Sequence, residues 1–508
     1  MGCSTRPVDG IYTDKEEIEN IFKVAVANHF EQFDRFIAPL DARTTFRHWR
    51  EVIRSVDEWI NLQFELPDPK LFLTLPIKGT KGETLNEFVK VLTQVDEYFG
   101  KEVGFRFSML ADNTETLLDR YVAKGLLKTL GDGITLADSN SASCYYQTRR
   151  QAYAGMLNLI PARAKGQRKI QRVDLLYHCT ECIDICLVGY GQAYFHLLVN
   201  ECLNDYEITV TGDLLKSNYV HQNLEGFYLE PERLSLLDQL ELRAAQIGDM
   251  PAIIKPRGKV FSFNELDVTM AIFRTAFQKY DVGQLPEYME INQLFFSLAR
   301  FCDDGYDIEM DEDELDQIQA GLKKLKLKLR GTTYQELMND YAPFTIFEGK
   351  AYSTVPLLQR FASRTLNHAL TRKRSFIINS GFVFEDKVQK ILEKHGYHYE
   401  GHKRIARQEF DLIMTKNGKV YNFQCKNNRA NTARAGFNYK LIARYNRSLI
   451  YYYRKAIKNE VDREHSIAEK TGIHDITNFV VSRFPVITRD FHIINFTDLE
   501  EWISKQNH

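Results

Sequence analysis

The chain has 508 residues, which at about 100–200 residues per domain predicts roughly three domains. Its 44% hydrophobic, 12% aromatic and 26% charged residues exclude a disordered or collagen-like chain. Lysine plus arginine number 66 against 68 for aspartate plus glutamate, a net charge of −2, so any preference for nucleic acid or membrane has to be local.

The start, Met1-Gly2-Cys3-Ser4, has the outline of a lipidation signal, but Arg6 stands where myristoylation requires Ser or Thr, and no apolar signal region precedes Cys3. Eight cysteines are too sparse for a disulfide scaffold and point to a reducing cytoplasm. The least polar long stretch, Ile185 to Asn200, has 16 residues and contains Gln192 and His196. It falls short of the roughly 20 apolar residues that span a bilayer, so no membrane span and no membrane partner are expected. No period of 20–50 residues repeats and no GxxxxGK[ST] match occurs, so nothing points to a nucleotide-driven motor.

Apolar residues at helical spacing, such as Ile18, Ile21, Phe22 and Ala25, or Leu315, Ile318, Leu322 and Leu325, make the first two-thirds mainly helical. We divide it at residues 1–150 and 151–370. Within the first part, at about residues 75–140, Phe107-Ser108-Met109-Leu110 and TETLLDRYVAKGLLKTLGDGITLA resemble a winged helix. A helix from Thr114 to Lys124 would precede a Gly131-Asp132-Gly133 turn between short strands. Its Glu115 and Asp119 argue against base reading and for protein contact or plain structure. In HCTECIDIC, Cys179, Cys182 and Cys186 raise zinc, but no second ligand pair follows at matching spacing. Their i, i+3, i+7 spacing fits one buried helical face instead.

Nine acids lie between Asp303 and Asp316, followed by Lys323-Lys324-Leu325-Lys326-Leu327-Lys328. The alternate spacing of a calcium loop is absent, so this reads as an acidic surface loop opening a helix whose basic end complements its dipole. No acid occurs from Gly349 to Phe384, and the polar Thr371-Arg372-Lys373-Arg374-Ser375 marks the junction to a C-terminal domain at residues 375–508.

There, GFVFEDKVQKILEKHGYHYEG places Phe384, Val388, Ile391 and Leu392 on one helix face, with Glu385 at its edge and Gly396 as a stop. QEFDLIMTKNGKVYNFQCKNN follows, two strand-like runs flanking Asn417-Gly418, a strong hairpin signal. A two-residue turn pairs Lys416 with Lys419, and counting outward sets Asp411 opposite Gln424, with Cβ atoms about 5 Å apart. Period-2 alternation puts Asn422, Gln424 and Lys426 on the face of Asp411, and Tyr421, Phe423 and Cys425 on an apolar face. A carboxylate, an amide oxygen and a nearby ammonium suit a magnesium ion bridging a phosphate and an attacking water. The metal ligands would be Asp411, the Gln424 side-chain oxygen, the Cys425 carbonyl and, directly or through water, Glu385. Lys426 would orient or help deprotonate the water and stabilise developing charge.

GFVFE, EFDLI, the hairpin and FQCK together resemble the restriction-endonuclease-like PD-(D/E)xK nucleases, most closely the Mrr-like subgroup in which Gln replaces the middle acid of the last motif. The resemblance covers the C-terminal domain only. It implies an αβββαβ core, Mg²⁺-dependent DNA cleavage with Mn²⁺ able to substitute, a role in restriction or antiphage defence, and functional positions at Glu385, Asp411, Gln424 and Lys426. Gln424 and Phe410 depart from the family's commoner Asp/Glu and Pro.

Between Lys426 and Asn459 there are nine basic residues and no acid in 34 positions. Arg429, Arg434, Lys440, Arg444, Arg447 and Arg454 are the expected nucleic-acid contacts, with Tyr451 in the helical stripe. The helical two-thirds is expected to sense a target, bind a protein partner or form a homo-oligomer. Two alternatives stand beside the DNA endonuclease: a non-catalytic nucleic-acid-binding scaffold that kept the fold, and an RNA-cleaving effector.

Overall fold

The computed structural model describes residues 7–66, 68–77, 85–123, 138–182, 189–212, 214–219, 258–329, 342–428 and 438–506. The chain forms two compact units, each assembled from separated stretches. Ala27–Tyr190 and Arg243–Leu370 make one, and Met1–Val26, Gly191–Leu242 and Thr371–His508 make the other. The expected division at residue 150 falls inside the continuous helix Ser139–Arg163, so the helical two-thirds does not split there. Among the described residues no helix is long and apolar enough to cross a membrane.

The helical unit is organised by helix Ala42–Glu65. Asp41 caps it by accepting from the Thr44 amide at 2.8 Å. Phe46, Trp49, Val52, Ile53, Val56, Trp59 and Ile60 recur at three- and four-residue steps and are buried. Arginines on its flank gather the acidic run: Arg50 pairs with Asp307 at 3.0 Å and Glu309 at 3.1 Å, and Arg54 pairs with Asp304. The acids therefore face cations as well as solvent. Asp307 and Glu309 lie on strand Asp307–Asp311, beside Lys350–Thr354 and Thr345–Phe347 in an antiparallel sheet.

Two expectations change here. The acid-opened helix is present as Glu312–Ala320, with Asp311 and Glu314 forming a capping box, but it stops before the lysines. The basic run continues non-helically, with Leu325 and Leu327 buried two residues apart, and Lys328 reaches back to Glu312 at 2.7 Å. In the winged-helix region, Lys101–Ala123 is one uninterrupted helix. Val103, Phe107, Leu110, Leu117 and Tyr121 keep a single buried face, so no turn separates a recognition helix. The Gly131-Asp132-Gly133 turn and Cys186 lie outside the described residues.

In the C-terminal unit, five strands run in the order Ile493–Asn495, Ile476–Ser482, Lys419–Lys426, Leu412–Lys416, His398–Tyr399. The last three pair antiparallel and the first three parallel. The parallel step needs a crossover, supplied by helices Tyr439–Val461 and Glu464–Thr471. One sheet face carries Leu412, Met414, Phe423, Phe479 and Val481 against Phe384, Val388 and Leu392 of helix Arg374–Lys394. The opposite face packs Val480 against Tyr453. Residues 7–26, 191–212 and 214–219 complete the unit. Tyr439 donates to Glu19 at 2.6 Å, Arg489 pairs with Asp205 at 2.8 Å, and Gly10–Tyr12 pairs with Ile208–Thr211 in a separate sheet.

Residues 375–508 are thus stabilised by two earlier stretches of the chain. A fragment of residues 371–508 expressed alone should melt at least about 5 °C below the thermal transition of this unit in the full chain, read by circular dichroism. An unchanged midpoint would show that the two earlier stretches of this unit contribute no stability.

Candidate active site at the open end of the hairpin

The Asn417-Gly418 turn takes left-handed backbone at both residues, φ 52° and 78°, as a two-residue turn matched to strand twist requires. The ladder runs from Lys416↔Lys419 to Leu412↔Phe423. Asp411, expected opposite Gln424, lies one residue before the paired ladder begins. Asp411 has left the strand, and its carboxylate Oδ2 accepts from the Cys425 amide at 2.8 Å. Phe410, the residue in place of the commoner proline, is buried with Ile413, Val420 and Ile467.

Alternation holds: Tyr421, Phe423 and Cys425 pack on the apolar core. The Asn422–Gln424 face is not left to solvent, because helix Tyr439–Val461 lays Glu460 upon it. Glu460 is 1% exposed. It accepts from the Gln424 amide nitrogen and, at 2.9 Å, from that of Asn422, and it pairs with Arg463 at 3.2 Å. Asn422 also donates to Asn478 at 2.8 Å. Burial pushes the Glu460 carboxyl up, opposed by the Asn422 hydrogen bond and Arg463. Our motif reading missed this acid. Its signal was present, since Asn446, Tyr453 and Glu460 recur at seven-residue spacing on the helix's buried stripe, and a carboxylate at a core position requires partners.

Glu385 comes from helix Arg374–Lys394, adjacent to the core residue Phe384. Burial and then the Asp411 charge push its carboxyl up to about 7, against the pull of Lys403 and Lys426. Burial also raises Asp411, opposed by Lys426 and the Cys425 amide. Lys403, absent from the motif reading, lies 3.5 Å from Glu385 and is the second cation of the cluster. Lys426 is half-buried and forms no ion pair among the described residues, yet its charge acts on Glu385, Asp411 and Glu460.

Glu385, Asp411, Gln424 and Lys426 therefore converge with Glu460 and Lys403. Among the described residues no three His, Cys, Asp or Glu side chains form a metal cage. The available donors are two repelling carboxylates, the Gln424 Oε1 that no hydrogen bond among the described residues takes, and the Cys425 carbonyl. An all-oxygen set of this kind fits a hard divalent cation, whose charge would relieve the repulsion.

The basic stripe is rearranged by tertiary contacts. Lys440 pairs with Glu19 at 3.1 Å, Arg447 with Glu201 at 3.3 Å and Arg454 with Asp490 at 2.8 Å. Arg429 and Arg434 lie outside the described residues. What faces solvent without ion pairs among the described residues is Arg444, Lys455 and Lys458, in line with Tyr451, which is 73% exposed. Their spacing of seven, four and three residues is one helical face.

No protein-family model, no curated protein and no solved structure matches the chain.

Glu385 supplies a pH test. With its pKa raised to about 7 in the folded chain from 4.5, the folded state binds more protons than the unfolded one between those values, so its contribution falls as pH rises through that window. Glu385→Gln should flatten the loss of stability between about pH 5 and pH 8, read as the urea midpoint. An unchanged pH profile would show that Glu385 is ionised like a surface carboxylate.

Proposed function

We propose that the protein is a divalent-metal-dependent nuclease that hydrolyses phosphodiester bonds in DNA, acting in restriction or defence against foreign DNA. The observation that carries this reading is the meeting of Glu385, Asp411, Gln424 and Lys426, which has no ion pair among the described residues, at the open end of one hairpin, in the order that the nuclease motifs require. The helix, three strands, crossover helix and parallel strand around it support the αβββαβ assignment.

Asp411, Glu385, the Gln424 Oε1 and the Cys425 carbonyl would hold the ion. Mg²⁺ or Mn²⁺, when bound, polarises the phosphoryl oxygen and acidifies water. The Cys425 amide holds Asp411 in one orientation. Glu460 fixes the Gln424 amide by taking its nitrogen, which directs the oxygen to act as the acceptor. Lys426, free of ion pairs among the described residues, is the cation that stabilises charge developing on the phosphate or orients the attacking water. Arg444, Lys455 and Lys458 would track the phosphate backbone beside Tyr451, on the helix that delivers Glu460. The other unit serves as sensor or partner-binding module.

The direct test is incubation with duplex DNA, single-stranded DNA and RNA in Mg²⁺, Mn²⁺ or EDTA. Metal-dependent cleavage of duplex DNA is expected, abolished in Asp411→Ala and Lys426→Ala, with DNA binding retained in both. Selective cleavage of RNA would reassign the substrate, and an Asp411→Ala variant as active as the wild type would remove the site. Duplex binding without cleavage in any metal would leave a non-catalytic nucleic-acid-binding protein.

Changing Arg444, Lys455 and Lys458 together to Ala should weaken duplex binding uniformly across sequences. The slope of log affinity against log salt should fall by up to about 0.9 per lost phosphate contact. An unaltered slope would return this face to solvent.

A further inference from the structure

Helix Arg374–Lys394 delivers Glu385 to the candidate site, and the turns before Glu385 expose large apolar side chains. Ile377 is 50% exposed, Ile378 48% and Phe382 53%. Single apolar residues on a surface are ordinary, but a group of them on one short stretch beside a carboxylate of the site marks a binding surface. Arg374, Ile378 and Phe382 follow at four-residue steps and Glu385 comes three residues later, so they share one side of the helix. Lys403 fixes the proximity: its ammonium lies 3.5 Å from Glu385 and 5.6 Å from the Phe382 ring centroid.

The protruding turn is held firmly. Ser380, between Ile378 and Phe382, is buried, and its hydroxyl accepts from the Asn427 side-chain amide at 2.8 Å. Asn427 directly follows strand Lys419–Lys426, so the turn is tied to the strand that supplies Lys426. Its surroundings are cationic. Lys403 is taken by Glu385, but Arg374, exposed at the helix start, forms no ion pair among the described residues. No acid occurs from Gly349 to Phe384, and Asp386 beyond is neutralised by Lys390 at 2.7 Å. An apolar tip beside a free cation suits a polyanion with apolar material between its charges, which is how duplex DNA presents stacked bases between phosphates.

We propose that Phe382, with Ile378 one turn before it, is a wedge that enters the base stack of duplex DNA beside the phosphate to be cut, so that duplexes with a mismatched or bulged step there are preferred. The assignment rests on the nuclease reading and names its substrate class. Inserting a side chain between base pairs costs stacking and pairing, and the cost is least where pairing is already lost. An intact step offers the ring only sugar and phosphate edges. An opened step offers a base face on which the ring can stack. Because Lys403 touches both the ring and Glu385, a base held by Phe382 belongs to a nucleotide close to the reacting phosphate.

The full chain in EDTA, titrated with a perfect duplex, the same duplex carrying one mismatch and the same duplex carrying a short bulge, decides it by binding alone. Wild type should bind the two altered duplexes about tenfold more tightly than the perfect one. Phe382→Ala, at an exposed position that should leave the circular dichroism spectrum unchanged, should bring that ratio to within about twofold, and Phe382→Trp should retain it. Arg374→Ala should weaken all three duplexes alike. In Mg²⁺, wild type should cut next to the altered step, and Phe382→Ala should lose that placement. A wild-type ratio near one, or a ratio that Phe382→Ala leaves unchanged, would overturn the wedge even where DNA is cut. No cutting in any metal, with the ratio and its dependence on Phe382 intact, would remove the nuclease reading and leave the wedge. No duplex binding would overturn both. Self-association that Phe382→Ala abolishes, seen by sedimentation together with a ratio near one, would give the patch to a second copy of the chain and overturn the wedge.

Discussion

The geometry of the candidate site depends on a turn of two residues. Asn417 and Gly418 both hold left-handed backbone, and glycine and asparagine are the residues that reach it at least cost. Because side chains alternate, a register slip of one residue would turn Phe423 out of the core and Gln424 into it. The turn places Lys416 beside Lys419 and carries the ladder to Leu412 and Phe423, beyond which the Asp411 carboxylate takes the Cys425 amide. Burial of Leu412, Met414 and Phe423 on one side rules out alternative pairings. A local backbone preference and a hydrophobic pattern thus agree, which is the condition for a single well-defined arrangement.

Beneath that arrangement lies a polar seam. Asn422, Gln424, Asn478, Glu460 and Arg463 form a connected set inside the unit. Isolated, the Glu460 carboxylate would be costly to bury; with two amide donors and a guanidinium its charge is largely compensated. Removal of one buried partner typically destabilises by about 3–5 kcal/mol because the remaining charge is stranded. The seam fixes the Gln424 side chain more firmly than packing alone would, since an amide donating to a buried carboxylate has few other orientations available.

How much of this could be read from residues in order depended on how far apart the interacting groups are in the chain. The hairpin register and the apolar identity of Phe423 and Cys425 were legible because turn and alternation are local. Glu460 was not legible as a site residue, although its position on a heptad-spaced buried stripe marked it, because its contact with Gln424 spans 36 residues of chain. The acid-free run from Lys426 to Asn459 misled for a related reason: Glu19, Glu201 and Asp490 reach Lys440, Arg447 and Arg454 from remote stretches. The winged-helix expectation failed where the chain kept one apolar stripe through Lys101–Ala123 instead of breaking at Asn113-Thr114. Length alone suggested three domains, but a count of that kind cannot see a unit built from non-contiguous stretches.

That interleaving bears on how the protein is made. The unit holding the candidate site draws on residues near both ends of the chain, with Gly10 paired to Val210 and Glu19 bonded to Tyr439. Contacts of such separation form late, since long loops must close before they are rewarded. During synthesis the early segments of this unit wait, unpaired, until the last quarter emerges. A chain interrupted before residue 460 would contain Asp411, Gln424 and Lys426 yet lack the acid that holds Gln424 in place. An unfinished product is therefore a chain without an assembled site, and the topology by itself withholds any activity from partial translation.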